Sequence, residues 1–147
     1  MSPSAIIGID PGASGGIAIV GPGIAEAHKM PKTDRDLLDL LAELAPRASI
    51  AILERLQPMP MRGCIAAWKL GQSYGSLRMA LAAARVPYEL VTPGKWQRAL
   101  GCLSRGDKNV TKAKAQALFP DLRIIHATAD ALLLAEYGRR TLLRSSA

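Results

Sequence analysis

Residues 8–16 read GIDPGASGG. An apolar run from Ala5 to Ile9 ends in Asp10, and Gly8, Gly12, Gly15 and Gly16 crowd around that acid. Two chemistries place glycines beside an aspartate in this way. A phosphate-binding loop uses them to bring backbone N–H groups onto an anion. A metal-ligating carboxylate at the end of a strand needs a tight turn next to it. The glycines also let a phosphate backbone approach closely, because they carry no side chain.

Outward from this stretch the pattern is regular. SAIIGID (4–10) reads as a buried strand, IAIV (17–20) as a second, and residues 24–29 as a third, separated by PGASGG and GPG. Turns this short imply an antiparallel meander. Thr33 is placed to cap TDRDLLDLLAEL, which sets Leu37, Leu40, Leu41 and Leu44 on one helical face. IAILE (50–54) is a fourth strand and RLQPMPMRG (55–63) a loop. Residues 65–85 form a long Ala/Leu helix, and VPYELV (86–91) is a fifth strand. TPGKWQRAL reads as a capped short helix and GCLSRGDKNV as a flexible basic loop. TKAKAQALF is a helix stopped by Pro120, and a last helix runs from His126 to Leu143. The order β-β-β-α-β-α-β-α-α-α predicts three antiparallel strands followed by right-handed parallel crossovers. It resembles the ribonuclease H-like fold: an α/β architecture with a mixed five-stranded sheet and helices on both faces, here one domain over 1–147.

Bulk properties narrow the partners. The chain has 147 residues, 49% of them hydrophobic and 4% aromatic, enough for one core built from Ala, Leu, Ile and Val. No apolar run reaches the ~20 residues of a membrane span, and the start lacks the features of a signal peptide. Two cysteines without metal-site spacing suit a reducing cytosol. The chain is expected in the cytoplasm, that of a bacterial host if phage-encoded. The net charge is +7, and it is unevenly spread. Residues 1–92 hold nine Lys/Arg against eight Asp/Glu, while 93–147 hold ten against four. Such a positive block suits a polyanion, although a generic basic protein shows it too.

Period-two alternation sets Ile6, Gly8 and Asp10 on one strand face, and Ile50, Ile52 and Glu54 likewise. Both acids end their strands, where ligand sites gather in open α/β sheets. His126 and Asp130 are four apart on a helix and share a face. Three carboxylates and an imidazole brought to one sheet edge repel unless cations neutralise them. Mg²⁺ and Mn²⁺ take carboxylate oxygens well. Two such ions per subunit, about 4 Å apart, activate a water and stabilise the leaving oxygen of a phosphodiester. This accounts for Asp10 better than a phosphate loop does. Taken singly, Asp10 also reads as a turn opener, Glu54 as a solvated strand end and His126 as an unliganded helix start. Asp130, set among Ala129, Ala131, Leu132 and Leu133, needs a partner.

IGIDPGASGG, AILERL, AAWKLGQSYGSL, VTPGKWQRALG, TKAKAQALFP and HATADALLLAEYGRR, in that order, resemble RuvC-type Holliday junction resolvases, most closely the phage and prophage branch. The resemblance spans residues 5 to 140. It implies a homodimeric, metal-dependent endonuclease that nicks opposing strands of a four-way junction symmetrically, with Asp10, Glu54 and Asp130 binding metal. His126 departs from many relatives, which carry a carboxylate there. A neutral imidazole removes a negative charge and favours Mn²⁺ over Mg²⁺. The resemblance also sets Lys112 near the scissile phosphate.

The same resemblance makes the loop after Glu54 one that enters the junction, with Met59, Met61 and Arg62 exposed. Apolar wedges distort duplexes in this way, and methionines also tuck into cores. Lys69, Gln72, Ser73 and Tyr74 begin the long helix as phosphate or base contacts, Tyr74 reading equally as a core or dimer residue. Lys95 follows a helix start, and Lys108, Lys112 and Lys114 surround another. Each lysine alone is also an ordinary surface charge. Trp96 reads as a core anchor rather than a base-stacking residue. A dimer is expected on the Ala-rich long helix through Leu70, Leu77, Leu81, Ala80, Ala82, Ala83 and Ala84. A broader flap and fork nuclease and a non-cleaving reader of branched DNA are the competing functions. An actin- or sugar-kinase-like nucleotide fold needs a second domain and a second glycine loop; no P-loop occurs, so no nucleotide cofactor is expected.

Overall fold

The computed structural model describes residues 4–56, 63–142 and 144–146. Its centre is β1 (Ala5–Asp10), buried on both faces until it reaches Asp10. β2 (Gly16–Gly21) pairs with it antiparallel, Ile6 facing Val20 and Asp10 facing Gly16. β3 (Ile24–Lys29) follows after a two-residue turn in which Gly23 adopts φ +70°. α1 (Asp34–Leu44) starts where the Thr33 hydroxyl accepts from the Asp36 N–H at 3.1 Å. β4 (Ala48–Glu54) returns parallel to β1, and α2 (Cys64–Ala83) leads to β5 (Tyr88–Val91), parallel to β4. The sheet order is β3-β2-β1-β4-β5. α3 (Pro93–Ala99), α4 (Lys108–Leu118) and α5 (His126–Leu142) complete the chain. Among the described residues no helix is long and apolar enough to cross a membrane.

The two-residue period sorts the core into layers. Ile7, Ile9, Ile17, Ile19, Ala51 and Leu53 pack under α1 and α2. Ile6, Ala18, Val20 and Ile52 pack under α5 together with Trp96 and Leu100 of the α3 segment. Asp10 and Glu54 continue the rows of Ile6 and Ile52, so both acids belong to the α5 layer.

Several details differ from the sequence expectation. α4 begins at Lys108, inside the segment read as a flexible loop, because the Asp107 carboxylate accepts from the Asn109 N–H at 3.0 Å and starts the helix there. α3 has no side-chain cap; Pro93 in its first turn supplies a preset φ instead. The glycines do not all serve the turn. A Cβ on Gly8 would collide with the Ala131 carbonyl and the Ala135 N–H, and one on Gly16 with the Ala127 carbonyl. These two glycines let α5 lie close on the sheet. On α2, Leu77, Ala80 and Leu81 are core, so they offer no dimer surface. The exposed apolar residues of that helix are Ile65, Trp68 and Met79, at 75%, 70% and 69% exposure.

Candidate active site

Asp10 and Glu54 end adjacent parallel strands, and α5 carries Asp130 across the same edge. Each acid is largely withdrawn from water, and each senses the others. Burial, then the charges of Glu54 and Asp130, push the Asp10 carboxyl up to about 8, against the opposing pull of Lys108. Burial pushes Glu54 up to about 7; a hydrogen bond from Trp96 opposes this and the Asp130 charge adds to it. Burial likewise raises Asp130, while Thr111, Lys108 and His126 act in the lowering direction. The Thr111 hydroxyl, however, donates to the Lys108 carbonyl at 3.3 Å. It has a single proton to divide between that carbonyl and Asp130. Asp130 Oδ1 is buried without a hydrogen-bond partner among the described residues.

A cleft of about 430 Å³ opens at this edge. Asp10, Glu54, the 11–15 turn, Lys69, Ser73 and Lys108 are among its lining residues. Lys69 and Ser73 come from α2, so both layers of the fold contribute. Asp130 and His126 are not among the lining residues, and His126 is exposed. Lys108 supplies positive charge to both Asp10 and Asp130. Lys112 lies one turn further along α4, half-buried, and Lys114 is near Cys102. Gln72 and Lys95 are exposed and lie outside the cleft lining. Tyr74 is half-buried and packs against the α1/α2 layer, the core side of its two readings. Met59, Met61 and Arg62 lie outside the described residues.

Two residues earn a place that sequence patterns did not assign. Trp96 is fully buried, as a core anchor should be, and its Nε1 donates to Glu54 Oε2 at 2.8 Å. Gln97, its neighbour, is also buried; its Oε1 accepts from the Ser104 N–H at 3.0 Å and from the Ser104 hydroxyl at 3.2 Å. That grip fixes the loop leading to Lys108. The only sequence signal was a Trp-Gln pair inside a short helix that has almost no other apolar residue.

Among the described residues, no three His, Cys, Asp or Glu side chains stand together as a ready-made metal-holding group. Glu54 is turned onto Trp96. Yet the chemistry fits: hard carboxylate oxygens that repel one another, and one buried oxygen with no partner, are what a divalent ion satisfies.

The mixed five-stranded sheet with helices on both faces is the ribonuclease H-like fold. Within that class, two solved structures to which it is similar are of RuvC. The Thermus thermophilus RuvC structure is similar with a TM-score of 0.65 and 20% identity, over 92% of this chain and 95% of that one. T. thermophilus RuvC in complex with Holliday junction substrate is similar with a TM-score of 0.65 and 20% identity, over 92% and 94%. No protein-family model matches the chain, and no curated protein matches it.

Proposed function

We propose that this protein is a metal-dependent endonuclease that resolves four-way DNA junctions by paired, symmetric nicks. The observation that carries the reading is the convergence of Asp10, Glu54 and Asp130. They come from three separate elements, each is held above its usual pKa, and Lys108 stands beside them. A fold that crowds three buried acids against one lysine leaves negative charge in excess and gains by binding cations there. The shared fold with RuvC, one structure of which holds a Holliday junction substrate, directs the reading to branched DNA.

In this reading Asp10, Glu54, Asp130 and His126 would hold two divalent ions. The ions supply an activated water and charge stabilisation at the leaving oxygen. Lys108 and Lys69 offset phosphate charge at the cleft mouth, and Ser73 offers a hydrogen bond there. Gly12, at φ +102°, keeps the 11–15 turn low so that a backbone passes over Asp10. Exposed imidazole at position 126 favours Mn²⁺ over Mg²⁺. The exposed Ile65, Trp68 and Met79 on α2 form the face on which two copies pair, giving two sites related by a two-fold axis.

The test is cleavage of an immobile four-way junction labelled in turn on each strand, in Mg²⁺ and in Mn²⁺. Flap and fork substrates of the same sequence run beside it. Nicks paired at symmetric positions, faster in Mn²⁺ and lost in Asp10→Asn, are expected. Equal rates on flaps and forks would reassign the protein as a general branched-DNA nuclease. Binding without cleavage in either metal would leave only a branched-DNA reader.

A further inference from the structure

We propose that Trp96 is a positioning residue for Glu54: its indole N–H occupies one carboxylate oxygen and so turns the other toward a cation. The inference rests on the metal-dependent reading of the site. The geometry is closed from two directions. Backbone pairing sets Glu54 beside Val91 on β5, and the Arg55 N–H donates to the Val91 carbonyl at 2.8 Å. Five residues after Val91 the chain has turned into α3, and Trp96 returns to the same glutamate at 2.8 Å. Main chain and side chain of Glu54 are thus both held by one short segment.

The ring has no freedom of its own. It is fully buried and packs in the cluster that includes Val91, Leu100, Cys102, Ala115 and Ile124. A buried indole N–H needs an acceptor, and Glu54 Oε2 is the one it has. The other oxygen of Glu54 accepts no hydrogen bond among the described residues. A glutamate free to rotate spends little time in any one ligand geometry. One pinned at a single oxygen meets a cation through the other. Partners of metal ligands typically change affinity by about 10- to 100-fold when removed.

The experiment uses the whole protein with Trp68 kept, so that the exposed face of α2 is the same in every variant. Free Mn²⁺ is counted by electron paramagnetic resonance during titration. Two replacements are compared with the parent. Trp96→Phe removes the N–H and part of the ring. Benzothienylalanine at position 96 keeps the bicyclic shape, replaces N–H by sulfur and guards against loss of fold. The expected result is Mn²⁺ affinity weakened about tenfold in both. The Mn²⁺ concentration for half-maximal junction nicking should rise by the same factor, with the rate at saturating metal largely kept. A benzothienylalanine protein that binds Mn²⁺ as tightly as its parent would overturn the role of Trp96 while leaving the nuclease reading intact. A parent that takes up no Mn²⁺ would overturn both.

Discussion

The two faces of the sheet are built by opposite rules. On one face α5 lies so close that Gly8, Gly16 and Gly138 leave no room for a Cβ, and ten of its residues are buried. On the other, α2 is longer, yet only Leu77, Ala80 and Leu81 are buried, and Gly71 and Gly75 face open space. The close face positions chemistry: an acid on α5 reaches the acids of β1 and β4 only if helix and sheet nearly touch. The open face leaves a helix with apolar residues all round, which suits an interface. The two sides of one sheet thus differ in how closely their helices are seated.

The contrast is most strongly broken at Gly8. Gly8→Ala would drive a methyl into backbone of α5, which has nowhere to move. A loss of about 3 kcal/mol, the upper end of the usual overpacking range, is expected, measured by urea unfolding. An unchanged midpoint would mean that α5 is not seated on β1. The next effect is on chemistry. Asp10→Asn should cut junction nicking by about 10² to 10³-fold, the range for removing one electrostatic stabiliser, without weakening the fold. Rates within tenfold of the parent would remove Asp10 from the reaction.

The pH response follows from the same crowding. The folded Asp10 keeps its proton up to about 8, whereas the unfolded chain releases it near 3.8. Between those values the native state binds the extra proton, so metal-free stability falls as pH rises through the window. Glu54, with a folded value of about 7, adds to the fall over the lower part of it. The melting temperature of metal-free protein should therefore drop from pH 5 to pH 8, and drop less in Asp10→Asn. A rise over that range would contradict the buried-acid account. The smallest effect is on the open face. Gly71→Ala meets no atom within 4 Å and sits inside a helix, so it should stabilise by about 0.5–1 kcal/mol in the same urea assay. A loss of stability would mean that α2 is packed more tightly than its exposure indicates.

Much of this was legible in the sequence because it obeys short-range rules. The strands through Ile6, Ile19 and Ile52 announce themselves by apolar runs between tight turns, and Asp10 and Glu54 by ending them. Thr33 declares the start of α1. What stayed hidden depends on long-range contact. The Trp96–Glu54 hydrogen bond joins residues 42 apart, and no local pattern encodes it. The start of α4 at Lys108 was masked by a segment rich in Gly, Ser and charge, although Asp107 two residues before Asn109 is a readable cap. Gly8 inside a strand was a signal of close helix packing that was read as a signal of phosphate approach. α2 gave no reading of its buried side, because apolar residues surround it and no periodic face stands out.

The central claim is that buried acids at one sheet edge are held apart from a stable charge state until a cation arrives. The direct measurement is the melting temperature of the protein and of Asp10→Asn at pH 8, each with and without Mn²⁺. The account predicts that Mn²⁺ raises the melting temperature of the parent by several degrees. It also predicts that metal-free Asp10→Asn melts above the metal-free parent and responds little to Mn²⁺. No rise in the parent, or an equal rise in both proteins, would contradict it.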